Sequence, residues 1–159
     1  METKTVVNKL DWNDVHKLLY AVIAHSNFQL EFDKDFYDNI RVGNIKGNNR
    51  TVDDKATDTL MNGGAIYIYD ENSGGRPFRK GAEIIKEEYC DKPYVQYTLT
   101  LKDFVEGFEN LLNRKYVCSA SEKDIVNESV RNFIDGNPKA NDLYPVLQIV
   151  MFNQIIYPL

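Results

Sequence analysis

Two short runs of this chain hold cations with no acid among them. Arg41, Lys46 and Arg50 fall in one stretch, and Arg76, Arg79 and Lys80 in another between Gly74 and Gly81. Cations set among glycines suit phosphate, because guanidinium and ammonium groups bring charge while Gly74 and Gly75 let backbone N–H groups approach an oxygen. Tyr67 and Phe78 offer rings on which a base could stack. If both loops lie at one end of a sheet, Arg41, Lys46, Arg50, Tyr67, Arg76, Phe78, Arg79 and Lys80 form a candidate nucleotide site. The plain alternative is two solvated loops. Gly74-Gly75-Arg76-Pro77 is not a Walker loop, which needs Gly-Lys-Ser/Thr opening a helix.

The other groups able to do chemistry do not assemble by spacing. His16 and His25 are nine residues apart on one helix, hence on opposite sides of it, and cannot share a site. His16 lies one turn after Trp12, where ring packing is its simplest use, and His25 sits near the helix end, where its charge suits the dipole. Cys90 and Cys118 match no CxxC or zinc spacing and read as free thiols. Asp53, Asp54 and Asp58 could ligate magnesium, but acids in a first turn also serve the helix dipole. HExxH, GxSxG and a paired Cys–His are all missing from the sequence. The expectation is no catalytic residue, no metal, no cofactor and no enzyme.

Composition sets the frame for these residues. The 159 residues are 43% apolar and 27% charged, which suits one globular domain spanning 1–159 with a single core. The net charge of −5 argues against generic DNA-backbone binding. Neither a signal-like start nor a membrane-length apolar run stands out, so the expected location is cytoplasmic, away from membranes.

Periodicity supplies the elements. Val15, Leu18, Leu19, Val22 and Ile23 mark an amphipathic helix from about Trp12 to His25, capped by Asp11, and Phe28, Leu30 and Phe32 mark a half-buried strand. Residues 33–39 fit no pattern, and 41–50 read as a loop or irregular hairpin. A helix from Val52 or Asp53 to Asn62 ends on Gly63 and Gly64, both expected at positive φ, before a strand from Ala65 to Tyr69. A long exposed connection follows. Strands Ala82–Tyr89 and Tyr94–Leu99 pair antiparallel around Asp91-Lys92-Pro93. Thr100 caps the next helix, whose stripe is Leu101, Phe104, Val105, Phe108, Leu111 and Leu112, and Gly107 within it signals a close neighbour. Tyr116–Ala120 is a short strand or a crossing. Ser121 and Asp124 open a helix burying Val126, Val130, Phe133 and Ile134, which Gly136-Asn137-Pro138 ends. The last helix begins at Asn141 or Asp142 and gives way to a terminal strand at Ile155–Tyr157. The fold class is α+β: a short, mostly antiparallel sheet packed against several amphipathic helices.

Three stretches carry a resemblance: Asp58 to Tyr69 with its Gly-Gly-to-aromatic strand, Tyr97 to Gly107, and Ala140 and Asp142 through Gln148, Phe152 and Ile155-Ile156-Tyr157. Together they are similar to a group of small proteins carried by phages and plasmids of gut bacteria, over the C-terminal two thirds. Asn153 stands where those proteins usually turn on glycine. The resemblance implies a mobile-element origin and an α+β fold, and brings no catalytic residue. With Tyr67, Tyr69, Tyr89, Tyr94 and Tyr97 on candidate strands, as core packing or as a sticky surface, the expected function is a non-enzymatic interaction protein. It would act as a counter-defence inhibitor that binds a host protein. Sequestration of a nucleotide by the two cationic loops, at an oligomer interface or within one chain, is the alternative.

Overall fold

The computed structural model describes residues 10–25, 27–44, 50–88 and 91–159, with backbone alone for 41–44. The fold is α+β, with a short four-stranded antiparallel sheet. Contacts gather into two compact units: the described residues up to Ala21 with Lys102–Leu159, and Val22–Leu101. Among the described residues no helix is long and apolar enough to cross a membrane.

The Val22–Leu101 unit holds the sheet. Its strands are β1 (Phe28–Phe32), β2 (Ile66–Asp70), β3 (Glu83–Ile85) and β4 (Tyr94–Leu99), in the order β1-β2-β4-β3. Alternation sorts the side chains into two faces. Phe28 and Leu30, Ile66, Ile68 and Asp70, and Val95, Tyr97 and Leu99 form a buried inner row. β3 covers only three residues of the expected Ala82–Tyr89 strand. Its alternation ends at Lys86-Glu87-Glu88, which offer the ladder no apolar face.

Two helices of this unit lie beside the sheet. Residues 34–44, read as unassigned chain and loop, are helix α2 (Lys34–Asn44). Asp33 starts it by accepting the Phe36 N–H on Oδ1 at 3.1 Å. Arg41 therefore sits on a helix and not in a hairpin, because this cap outweighs the glycine and asparagines downstream. Helix α3 (Val52–Met61) opens on a reciprocal capping box between Thr51 and Asp54. It closes on Gly63, at φ +99°, with the Gly64 N–H reaching back to the Thr59 carbonyl at 2.8 Å. Gly64 is not at positive φ as expected. It is small because Phe36 presses on it, and a Cβ there would lie 2.5 Å from the ring.

The other unit is helical: the first part of α1 (Trp12–Ala24), then α4 (Leu101–Leu112), α5 (Lys123–Ile134) and α6 (Leu143–Phe152). Tyr144 to Phe152 are all buried, so α6 is apolar all round and forms the centre of this unit. Gly107 of α4 is the close-approach residue its sequence position suggests: a Cβ there would lie 2.1 Å from the Val150 carbonyl oxygen of α6. Phe108 and Phe133 meet edge to face at 6.1 Å, joining α4 to α5. Val126, Val130, Phe133 and Ile134 are the buried face of α5, as the periodicity requires.

Two readings of this unit need correction. Ser121 does not cap α5; the position before the helix is Glu122, whose carboxylate accepts the Ser119 hydroxyl at 2.8 Å. Ile155–Tyr157 is no strand either. The wholly buried Gln148 accepts the Ile156 and Tyr157 N–H groups on Oε1 at 2.8 Å each, so one side chain satisfies what a ladder would. Pairing of the C-terminal segment is confined to a single parallel bridge, Val117 with Gln154.

Candidate functional site

The outer face of the sheet carries a different set of residues from the core face. Register places Gln29 and Glu31 of β1, Tyr67 and Tyr69 of β2, and Tyr94, Gln96 and Thr98 of β4 on this side. Tyr69 faces Gln96 directly, and Tyr94 stands diagonally from it, where aromatic side chains can reach each other. The Tyr69 and Tyr94 rings meet edge to face at 6.0 Å.

Carboxylates surround this ring pair. The Tyr69 hydroxyl donates to Glu31 Oε2 at 3.2 Å, the Tyr94 hydroxyl to Glu87 Oε1 at 2.6 Å, and Gln29 Nε2 to Glu71 Oε1 at 3.0 Å. These donors are neutral, and each orients the carboxylate it meets. Burial, followed by the negative charge of Glu31, pushes the Tyr69 phenol above its ordinary value and keeps it a donor. The six side chains line a shallow concavity of about 240 Å³ that, among the described residues, contains three carboxylates and no cation. Aromatic rings between oriented carboxylates attract lysine and arginine, by charge-assisted hydrogen bonds and by contact with the ring.

The residues picked from sequence fall elsewhere. Tyr67 is on the outer face. The Phe78 N–H donates to the hydroxyl of Tyr97, a buried inner-row residue, at 3.1 Å, so Phe78 and Tyr67 belong to opposite sides. Burial raises the Tyr97 pKa, the Phe78 N–H opposes this and the charge of Asp70 adds to it. The Arg76 guanidinium lies 5.4 Å over the Phe78 ring, Arg79 is half-buried, and Arg76 and Lys80 are exposed. Arg50 forms an ion pair with Asp58 of α3. Burial acts to lower its pKa, but the hydrogen bond and charge of Asp58, with Asp54 and Tyr37, raise it overall. Lys46 and the Arg41 side chain lie outside the described residues, as do Tyr89 and Cys90.

Other groups with chemical potential serve the fold. Asp54 caps α3 and Asp58 holds Arg50. Trp12 and His16 stack with ring centroids 4.6 Å apart. Burial holds His25 below the ordinary imidazole value, against its expected role as a charge at the helix end. Cys118 is a half-buried free thiol. Asp70 is a wholly buried acid that the sequence did not mark; it ends β2 by accepting the Asn72 N–H at 2.9 Å.

Glu31, Glu71 and Glu87 are the residues sequence reasoning passed over, while Tyr69 and Tyr94 were marked only as strand tyrosines that either pack or form a sticky surface. For Glu31 the signal was the polar half of the β1 alternation, which shares a face with its neighbours only when register is known, whereas Glu71 and Glu87 follow β2 and β3 and carry no such signal. Protein-family models, curated proteins and solved structures yield no match to this chain.

Proposed function

We propose that this chain is a non-enzymatic interaction protein that docks a basic segment of a partner protein on the outer face of its sheet. The observation supporting this reading is the Tyr69–Tyr94 pair set among Glu31, Glu71 and Glu87 in one concavity that no cation lines among the described residues. Tyrosines contribute large contact area at small conformational cost, and like charges held close together gain from an incoming lysine or arginine. The net charge of −5 adds long-range attraction for such a partner. The likeness to mobile-element proteins suggests a host protein as the partner and occlusion as the mode of action, which is the counter-defence role.

The nucleotide reading rested on two cationic loops. Its cations are now distributed: Arg50 is bound to Asp58, and Arg41 belongs to α2. The docking reading is tested by calorimetric titration with an extended peptide of alternating lysine and threonine. Binding should appear at low ionic strength and weaken at least tenfold in Glu31→Gln/Glu71→Gln/Glu87→Gln, while Arg76→Ala/Arg79→Ala leaves it unchanged. Equal affinity in the triple glutamine variant sinks the reading.

A further inference from the structure

The helical unit holds a second concavity, of about 710 Å³, whose lining has the opposite charge. One wall is the segment after α4, with Arg114 and Tyr116; the other is a stripe of α5, with Lys123, Asn127 and Arg131. The spacing i, i+4, i+8 keeps these three on one side of α5. The helix also carries Asp124 and Glu128, but among the described residues no carboxylate lines the concavity. Among the described residues, neither Lys123 nor Arg131 is held in an ion pair. Three cations sharing one hollow repel each other unless an anion joins them.

Arg114 adds an independent observation. It occupies the left-handed position that ends α4, at φ +56°, with its N–H on the Leu111 carbonyl and the Lys115 N–H on the Asn110 carbonyl. Glycine is the residue suited to this ending, and Gly63 and Gly136 fill it where α3 and α5 stop, at φ +99° and +82°. An arginine kept in a glycine conformation is strained, and its guanidinium, which also donates from Nη1 to the Leu111 carbonyl at 3.5 Å, lines the cationic hollow. The Tyr116 hydroxyl donates to Asn127 Oδ1, which fixes the ring in the wall and leaves the Asn127 amide N–H₂ as a donor.

We propose that this concavity binds a phosphorylated small molecule, with Arg114, Lys123 and Arg131 on the phosphate oxygens, Asn127 donating beside them and the Tyr116 ring against the rest of the ligand. Its volume lies within the range of small-molecule sites, and guanidinium pairs match phosphate geometry. The site shares no lining residue with the sheet face, so either reading can fail without the other.

The test is calorimetric titration of the full chain with pyrophosphate at 20 and 150 mM salt, repeated in Arg114→Gly, Lys123→Gln, Arg131→Gln and the triple variant. Wild-type binding should weaken with salt, and each single variant should lose at least about threefold in affinity, in line with screened charge-assisted contacts. Arg114→Gly is the discriminating variant. Glycine fits φ +56°, so its melting temperature should hold or rise while affinity falls. Unchanged affinity in the triple variant overturns the proposal. So does failure to bind millimolar pyrophosphate, including the case in which only an extended polyanion such as heparin binds.

Discussion

A Cβ added to Gly107 would stand 2.1 Å from the carbonyl oxygen of Val150, so α4 and α6 meet backbone against backbone. Glycine inside a helix costs about 1 kcal/mol relative to alanine, and the chain accepts that cost to bring the two axes together. Gly107→Ala should therefore destabilise despite its better helix propensity, because a backbone oxygen cannot turn aside as a side chain would. We expect a net loss of about 2–3 kcal/mol by denaturant titration, and a melting point lower by several degrees. A variant as stable as the parent would contradict the crossing.

Asp142 is buried beneath three donors: the Ser129 hydroxyl at 2.9 Å, Asn132 Nδ2 at 3.0 Å and the Lys139 N–H at 2.8 Å. Burial acts to raise its pKa, but these donors and the Lys139 charge outweigh it and hold the carboxyl below 3.8. A depressed native pKa means that the stabilisation is complete above 3.8 and is lost as pH falls through the lower native value. Asp142→Ala should cost about 2 kcal/mol at pH 7, from unsatisfied donors, with the gap to wild type narrowing below that point. Denaturant titrations from pH 7 to pH 2.5 measure both. His25, held below 6.5 by burial, should produce a separate and earlier loss as pH drops beneath that value, abolished in His25→Gln.

Arg50 is a structural cation. Its partner Asp58 has a side chain 8% exposed, and removing the guanidinium takes an ion-pair partner from a nearly buried carboxylate. Arg50→Ala should lower stability by about 1–2 kcal/mol, reduced from the fully buried case because Arg50 itself keeps 24% exposure. Arg50→Ala/Asp58→Asn should recover part of the loss in a double-mutant cycle. Additive losses would show that the pair is not coupled.

The legible parts of this chain were those with a clean period. Phe28-Gln29-Leu30-Glu31-Phe32 and Tyr94–Leu99 alternate and are strands at those positions, and the stripe of α5 is buried, as are Val15, Leu18, Leu19 and Val22 of α1 and Phe104, Phe108 and Leu111 of α4, whereas Ile23, read as part of the α1 stripe, is exposed. Gly107 could be read because glycine in a strong helix needs a spatial reason. What stayed hidden depended on single side chains acting at a distance. Asp33 nucleates α2 across a stretch rich in glycine and asparagine, and Gln148 ties down the C-terminal segment without a strand. The sites were less legible than the fold. Glu31, Tyr69, Glu87 and Tyr94 come from three separate segments and converge only once β1, β2 and β4 are in register. The sequence shows a cation at Arg50 but not the aspartate of α3 that occupies it.

The docking claim is tested most directly by following tyrosine side-chain NMR signals while the alternating lysine–threonine peptide is added. The account predicts that Tyr67, Tyr69 and Tyr94 on the outer face shift together and saturate at one affinity, while Tyr97 in the inner row stays in place. A shift of Tyr97 alone, or tyrosine signals that do not move at saturating peptide, would contradict it.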